Sequence, residues 1–154
     1  MFCKLNRRGG RLLLEIMAAA TVAAMSSTPA HAASCFISPE SVNFGVYDPF
    51  DPVPLDGVGN IAVSCDAPTA FTIALGPGSG SYDQRLMQGG QATMSYNIYT
   101  DPARLFVWGD DSGSGSTLSD VTTSGHYPVY GRIPPHQNLP AATYSDTIVV
   151  TVTY

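Results

Sequence analysis

Tyr144-Ser145-Asp146-Thr147-Ile148-Val149-Val150-Thr151-Val152-Thr153-Tyr154 is the stretch whose reading decides the fold. Ile148, Val150, Val152 and Tyr154 fall on one face, and Thr147, Val149, Thr151 and Thr153 on the other. That is the period-two pattern of a half-buried strand rich in β-branched residues. No turn and no partner strand follow it in the sequence. It must therefore pair wholly with earlier strands or leave an edge that another chain can cover. The expectation is the second: an exported all-β domain whose sheet is finished by a strand from another protein.

The opposite end of the sequence reads as a targeting segment. Lys4, Arg7, Arg8 and Arg11 make a positive region, Leu12 to Met25 an apolar one interrupted by Glu15, and Ala30-His31-Ala32 an A-x-A cleavage signal. This predicts a signal peptide over residues 1–32 and a domain over residues 33–154. The apolar run is short and Ala-rich for a membrane span, and nothing later approaches the ~20 residues that a span needs. Without the leader, three arginines face eleven acids, a net charge of −8 with no lysine left. Such a balance argues against nucleic acid or an anionic membrane as partner.

Of three cysteines, Cys3 lies in the leader, leaving Cys35 and Cys65. Two cysteines in an exported chain most simply form a disulfide. Closing a loop of about thirty residues stabilises by roughly 3–4 kcal/mol in the chain-entropy account.

Between the ends, apolar and polar residues alternate in short runs. Cys35-Phe36-Ile37 opens the fold, and Val42, Phe44 and Val46 extend it after a break at Pro39. Ile61, Val63 and Cys65 mark a strand, and Phe71, Ile73 and Leu75 another, closed by Gly76-Pro77-Gly78. Residues 81–91 read as a polar connection. Met94, Tyr96 and Ile98 mark a further strand, Leu105-Phe106-Val107-Trp108 a short apolar one, and Tyr127 to Ile133 the last before the terminal strand. No helical periodicity with caps occurs after the leader. Strands at regular spacing with turn signals between them predict a sandwich.

Features that would signal chemistry resolve into structure. Asp110, Asp111 and Asp120 lack the alternating ligand spacing of a calcium loop. His126 and His136 have no metal partner and no hydrolase constellation near them, so no catalytic residue, metal or cofactor is expected. Tyr96, in phase with Met94 and Ile98, reads as core. The loop over residues 48–58 is different, because it sets Phe50, Val53, Leu55 and Val58 among three prolines. A stiff apolar loop is a candidate adhesive finger, since it offers contact area at little ordering cost.

Several stretches in series resemble one family. Gly59-Asn60-Ile61-Ala62-Val63-Ser64-Cys65, Ser95-Tyr96-Asn97-Ile98-Tyr99-Thr100-Asp101-Pro102-Ala103-Arg104, Val107-Trp108-Gly109-Asp110, and Val129 to Gln137 with Asp146 to Tyr154 look like the spore coat protein U domain. That domain also occurs in subunits of archaic, Csu-type chaperone-usher pili. The resemblance implies an incomplete immunoglobulin-like β-sandwich completed by a donor strand. It places Ile148, Val150, Val152 and Tyr154 beside an acceptor groove. It implies a periplasmic pilus chaperone, an outer-membrane usher and neighbouring pilus subunits as partners, and export through the periplasm to the cell surface. Cleavage before Ala33 leaves only Ala33-Ser34 ahead of Cys35, too little to donate a strand, which suggests a place at the fibre tip. A self-contained coat or matrix protein and a surface-binding adhesin are the alternatives.

Overall fold

Alternation resolves into six β-strands over residues 33–154, the part of the chain that the computed structural model describes. They are β1 (Cys35–Asn43), β2 (Leu55–Leu75), β3 (Arg85–Gly89), β4 (Ala92–Tyr99), β5 (Leu118–Ile133) and β6 (Val150–Thr153), and no helix occurs among the described residues. The signal-peptide reading falls on residues 1–32, outside the described residues. Every pairing is antiparallel, in the order β1-β2-β5-β4-β3, with β6 added to β2.

β2 organises the sheet. The sequence suggests two strands here, and the structure makes them one bent strand of 21 residues. Its first part pairs with β1 and with the end of β5; its register against β5 breaks between Ser64 and Thr69. The break surrounds Asp66-Ala67-Pro68, where proline has no N–H to give the ladder. Beyond it β2 pairs with the start of β5 and with β6. Ile61, Val63, Phe71, Ile73 and Leu75 keep the same parity throughout and all are buried. The bend thus lets one strand serve both halves of a curled sheet without turning its apolar face outward. Cys35 lies directly opposite Cys65 in the β1–β2 ladder, with Cα atoms 4.1 Å apart, and the two are joined as a disulfide.

Two further sequence readings are corrected. The supposed polar connection contains β3, hidden by a buried cation. Arg85 is 0% exposed, and its guanidinium donates to Asn97 Oδ1 at 2.6 Å, Trp108 O at 2.7 Å and Gly76 O at 2.9 Å. Each contact satisfies a carbonyl or amide that burial would otherwise leave costly. Burial lowers the guanidinium pKa from its ordinary value. The supposed strand at residues 105–108 makes only isolated bridges, Tyr99 with Val107 and Trp108 with Ser116. Trp108 is nonetheless fully buried, with its indole N–H donating to Ile73 O at 3.1 Å.

Candidate functional site

The site is a groove between two strand edges, and each edge follows from local sequence. β1 pairs with β2 as far as Glu40, and its register then shifts before Asn43. The shift turns Val42 and Phe44 across Gly57, Gly59 and Gly131. A Cβ on Gly59 would sit 2.7 Å from Glu40 O, and one on Gly131 2.5 Å from Phe44 Cζ, so only glycine lets the segment lie this close. The Phe44 ring then meets Tyr96 edge-on, with centroids 6.1 Å apart. Among the described residues, β1 has a partner strand on the β2 side alone.

The second edge belongs to the terminal stretch. Ser145 exchanges both backbone hydrogen bonds with Gln88, at 2.8 and 3.0 Å, and Val149 O accepts from Gly76 N at 2.9 Å. Val150 to Thr153 then pair with Leu75 to Thr72. Residues an even number apart direct their backbone groups to the same side of a strand, so Ser145 and Val149 bond on one side. The groups of the alternate residues point to the other side, where no strand is paired among the described residues.

Between these edges runs a groove of about 1020 Å³. Residues 39–47 form one rim and residues 139–148 with Val150 the other, while core residues including Ile61, Leu75, Met87, Met94, Val129 and Ile133 form the floor. Two of its polar side chains, Tyr96 and Asp146, are already engaged. Tyr96 Oη donates to Asp146 Oδ2 at 2.7 Å, and Asp146 also accepts from Ser79 N and Ser79 Oγ. Burial first, and then the bond to Asp146, push the Tyr96 phenol far above its ordinary range, so it stays neutral. Among the described residues, no buried side-chain nitrogen or oxygen lacks a partner. The groove therefore offers apolar surface in its floor and unused backbone groups along both rims. Those are the two requirements for adding a strand.

The four predicted edge residues divide. Ile148 and Val150 line the groove; Val152 is half-buried against the core beyond it. Tyr154 is 56% exposed, because the ladder ends at Thr153 and nothing holds the ring over the core. The predicted adhesive loop divides too. Phe50 is 88% and Val53 63% exposed, on backbone held by the Asp48 and Asp51 carboxylates, which accept from Phe50 N and Val53 N at 2.9 Å each. Leu55 and Val58 belong to β2 instead: Leu55 packs against the core, and Val58 stands exposed on the outer face.

Sequence reading missed a second apolar projection. Leu105 and Phe106 are 72% and 62% exposed on a loop that the Asp101 carboxylate caps at both N–H groups, at 3.0 and 2.9 Å. Arg104 in that loop has a φ of 59°, and its guanidinium reaches Asp56, 3.2 Å away near the start of β2. The signal available was Asp101-Pro102, a turn opener whose aspartate caps backbone N–H groups beyond it.

The sequence profile of the Spore Coat Protein U domain matches residues 21–151. The chain belongs to this family. Protein U of Myxococcus xanthus is 36% identical over 128 residues, which span 74% of this chain and 72% of that protein. Among solved structures, the chain resembles part of the CsuC-CsuE chaperone-tip adhesion subunit pre-assembly complex from the archaic chaperone-usher Csu pili of Acinetobacter baumannii. There the TM-score is 0.55 at 24% identity, over 80% of this chain. This chain spans 40% of the chain it matches there, and the likeness is one of fold: an all-β, immunoglobulin-like antiparallel sheet. In this spore coat protein U domain the groove offers an apolar floor, and no group of three or more His, Cys, Asp or Glu is placed to hold a metal among the described residues.

Proposed function

We propose that this spore coat protein U domain is a structural subunit of a chaperone-usher surface fibre, and that its groove accepts a β-strand from a periplasmic chaperone and then from a neighbouring subunit. The supporting observation is that two strand edges with unused backbone groups face each other across an apolar floor. A small ligand would leave those backbone groups unpaired, whereas an extended strand satisfies both rims while its alternate side chains fill the floor. On this reading residues 1–32 are a signal peptide and residues 33–154 the exported domain, carried through the periplasm to the cell surface with an outer-membrane usher. We place the subunit at the fibre tip, since Ala33-Ser34 alone would precede Cys35 after cleavage.

The test is expression in a periplasm with and without the candidate chaperone. Degradation or aggregation of the chain alone, with recovery as a one-to-one complex, supports strand acceptance. A stable monomer that folds alone replaces it with a self-contained coat protein. Long fibres formed by the purified domain by itself would remove the tip assignment.

Adhesion is a second reading, favoured by the outward apolar side chains of Phe50, Val53, Leu105 and Phe106 on two capped, stiff loops. Phe50→Asp with Phe106→Asp should abolish attachment to a hydrophobic surface at unchanged thermal stability. Unchanged attachment sinks the adhesive role.

A further inference from the structure

We infer that Tyr47 is the end stop of the groove: it ties the β1 rim to the segment over residues 134–137 that leads into the second rim, and thereby limits how far an incoming strand can run. The inference rests on the strand-accepting reading above. Tyr47 lies on the β1 rim, three residues past Phe44, and its hydroxyl leaves that rim. Oη donates to Pro134 O at 3.1 Å and accepts from Gln137 N at 2.8 Å. The second rim begins just beyond, at Leu139.

The far side of this tie is itself fixed. Gln137 Oε1 accepts from Ser95 N at 2.7 Å, and Gln137 Nε2 donates to Ser95 O at 2.9 Å and to Pro134 O at 3.1 Å. Tyr47 is therefore bonded to a segment anchored on β4, and a strand that pushes the ring aside must break two hydrogen bonds at once. At the opposite limit, around Pro39 and Val150, no hydrogen bond joins the rims among the described residues. A strand rises about 3.3 Å per residue, so the rim from residue 39 to residue 47 accommodates roughly nine residues.

One end closed and one end open makes the groove asymmetric. A strand that continues past the open end meets no cross-rim hydrogen bond among the described residues, whereas one that continues past Tyr47 meets a braced ring. Tolerance of extra length should then differ between the two termini of a bound peptide, whichever way round it lies.

The experiment refolds the exported protein with a synthetic nonapeptide of alternating valine and threonine, and with two derivatives carrying Trp-Pro-Trp at the N- or the C-terminus. Affinity is read by fluorescence anisotropy of the labelled peptides. The expected result is at least tenfold weaker binding for one extended peptide and less than twofold change for the other. Tyr47→Phe, which keeps the ring and loses both hydrogen bonds, should narrow the difference to below threefold, and Tyr47→Ala should erase it. If the plain nonapeptide binds and both extensions are tolerated alike in the wild type, the end stop is wrong while strand acceptance stands. If the plain nonapeptide does not bind, strand acceptance fails and the end stop falls with it.

Discussion

The side-chain amide of Gln137 grips the backbone of Ser95 as a neighbouring strand would, giving one hydrogen bond and taking one, at 2.9 and 2.7 Å. It does so where β4 and β5 part company, since β5 pairs with β4 only at Asn97, Ile98 and Tyr99. A single side chain thus takes the place of one residue of sheet.

Replacing that amide should show how much it contributes. Gln137→Leu keeps the approximate size but leaves Ser95 N and Ser95 O without partners, at a cost of about 1–3 kcal/mol for an unsatisfied buried group. Chemical denaturation should show a lowered midpoint at unchanged slope. An unchanged midpoint would mean that water replaces the amide without loss.

Arg85 should be intolerant of substitution. Arg85→Met removes the donor to Asn97 Oδ1, Gly76 O and Trp108 O together, although Asn97 Oδ1 keeps the Ile98 N–H at 2.9 Å as a second donor. The expected loss is about 2–6 kcal/mol, from two carbonyls left without a partner at about 1–3 kcal/mol each. Arg85→Lys should recover little of it, because a point ammonium cannot reproduce the guanidinium fork. Thermal unfolding of the three proteins checks the order.

Groove and outer face should respond oppositely to charge. Ile148→Asp or Val150→Asp puts a carboxylate against the apolar floor, whereas Val149→Asp puts it on the exposed side of the same terminal stretch. Recovery of the chaperone complex from the periplasm should fall at least tenfold for the first two variants and less than twofold for the third. Equal effects would show that the terminal stretch is not a groove rim.

Acid should weaken the link between Asp56 and its two arginines. The hydrogen bonds from Arg132, at 2.7 and 2.9 Å, hold the Asp56 carboxyl below its ordinary value, and the nearby Arg104 charge adds to this against the effect of burial. A depressed carboxylate contributes stability that is present above its unfolded pKa, near 3.8, and is lost as pH falls through the lower folded value. The side chain is more than a third exposed, so solvent screening keeps the contribution under about 1 kcal/mol. Asp56→Asn should lower stability slightly at pH 7 and converge on the wild type below pH 3 in denaturation titrations. Parallel curves at every pH would contradict the assignment.

Reduction should matter more than any surface charge. Cys35→Ser with Cys65→Ser opens a closed loop with a sequence separation of 30, and the loss of such a bond is worth roughly 2–5 kcal/mol in small secreted domains. Unfolding with and without a thiol reductant should differ by that amount in the wild type and not at all in the double variant.

Local alternation carried most of the fold. The parity of Ile61, Val63, Phe71, Ile73 and Leu75 marked the inward face of β2, though not that both runs form one strand, because a bend is invisible to a pattern with the same period on either side. The shared apolar phase of Ile148 and Val150 was legible for the same reason; Tyr154 has that phase too and yet stands exposed, because periodicity does not say where a ladder ends. β3 was lost because Arg85 counts as polar in any sequence pattern. Only its bonds to Gly76, Asn97 and Trp108, brought together from distant parts of the chain, make it a core residue.

The sequence by itself determined the all-β class, Cys35 and Cys65 as candidates to bond and a terminal strand with one apolar face, since these follow from residue type and spacing along the chain. Only the tertiary structure decided that the β1 rim and the terminal stretch face each other without pairing, that Tyr47 bonds to Pro134 and Gln137 at one end of the groove, and that Leu105 and Phe106 point outward. Those depend on register, on the glycine floor beneath Val42 and Phe44, and on hydrogen bonds between residues dozens of positions apart, none of which a local pattern encodes.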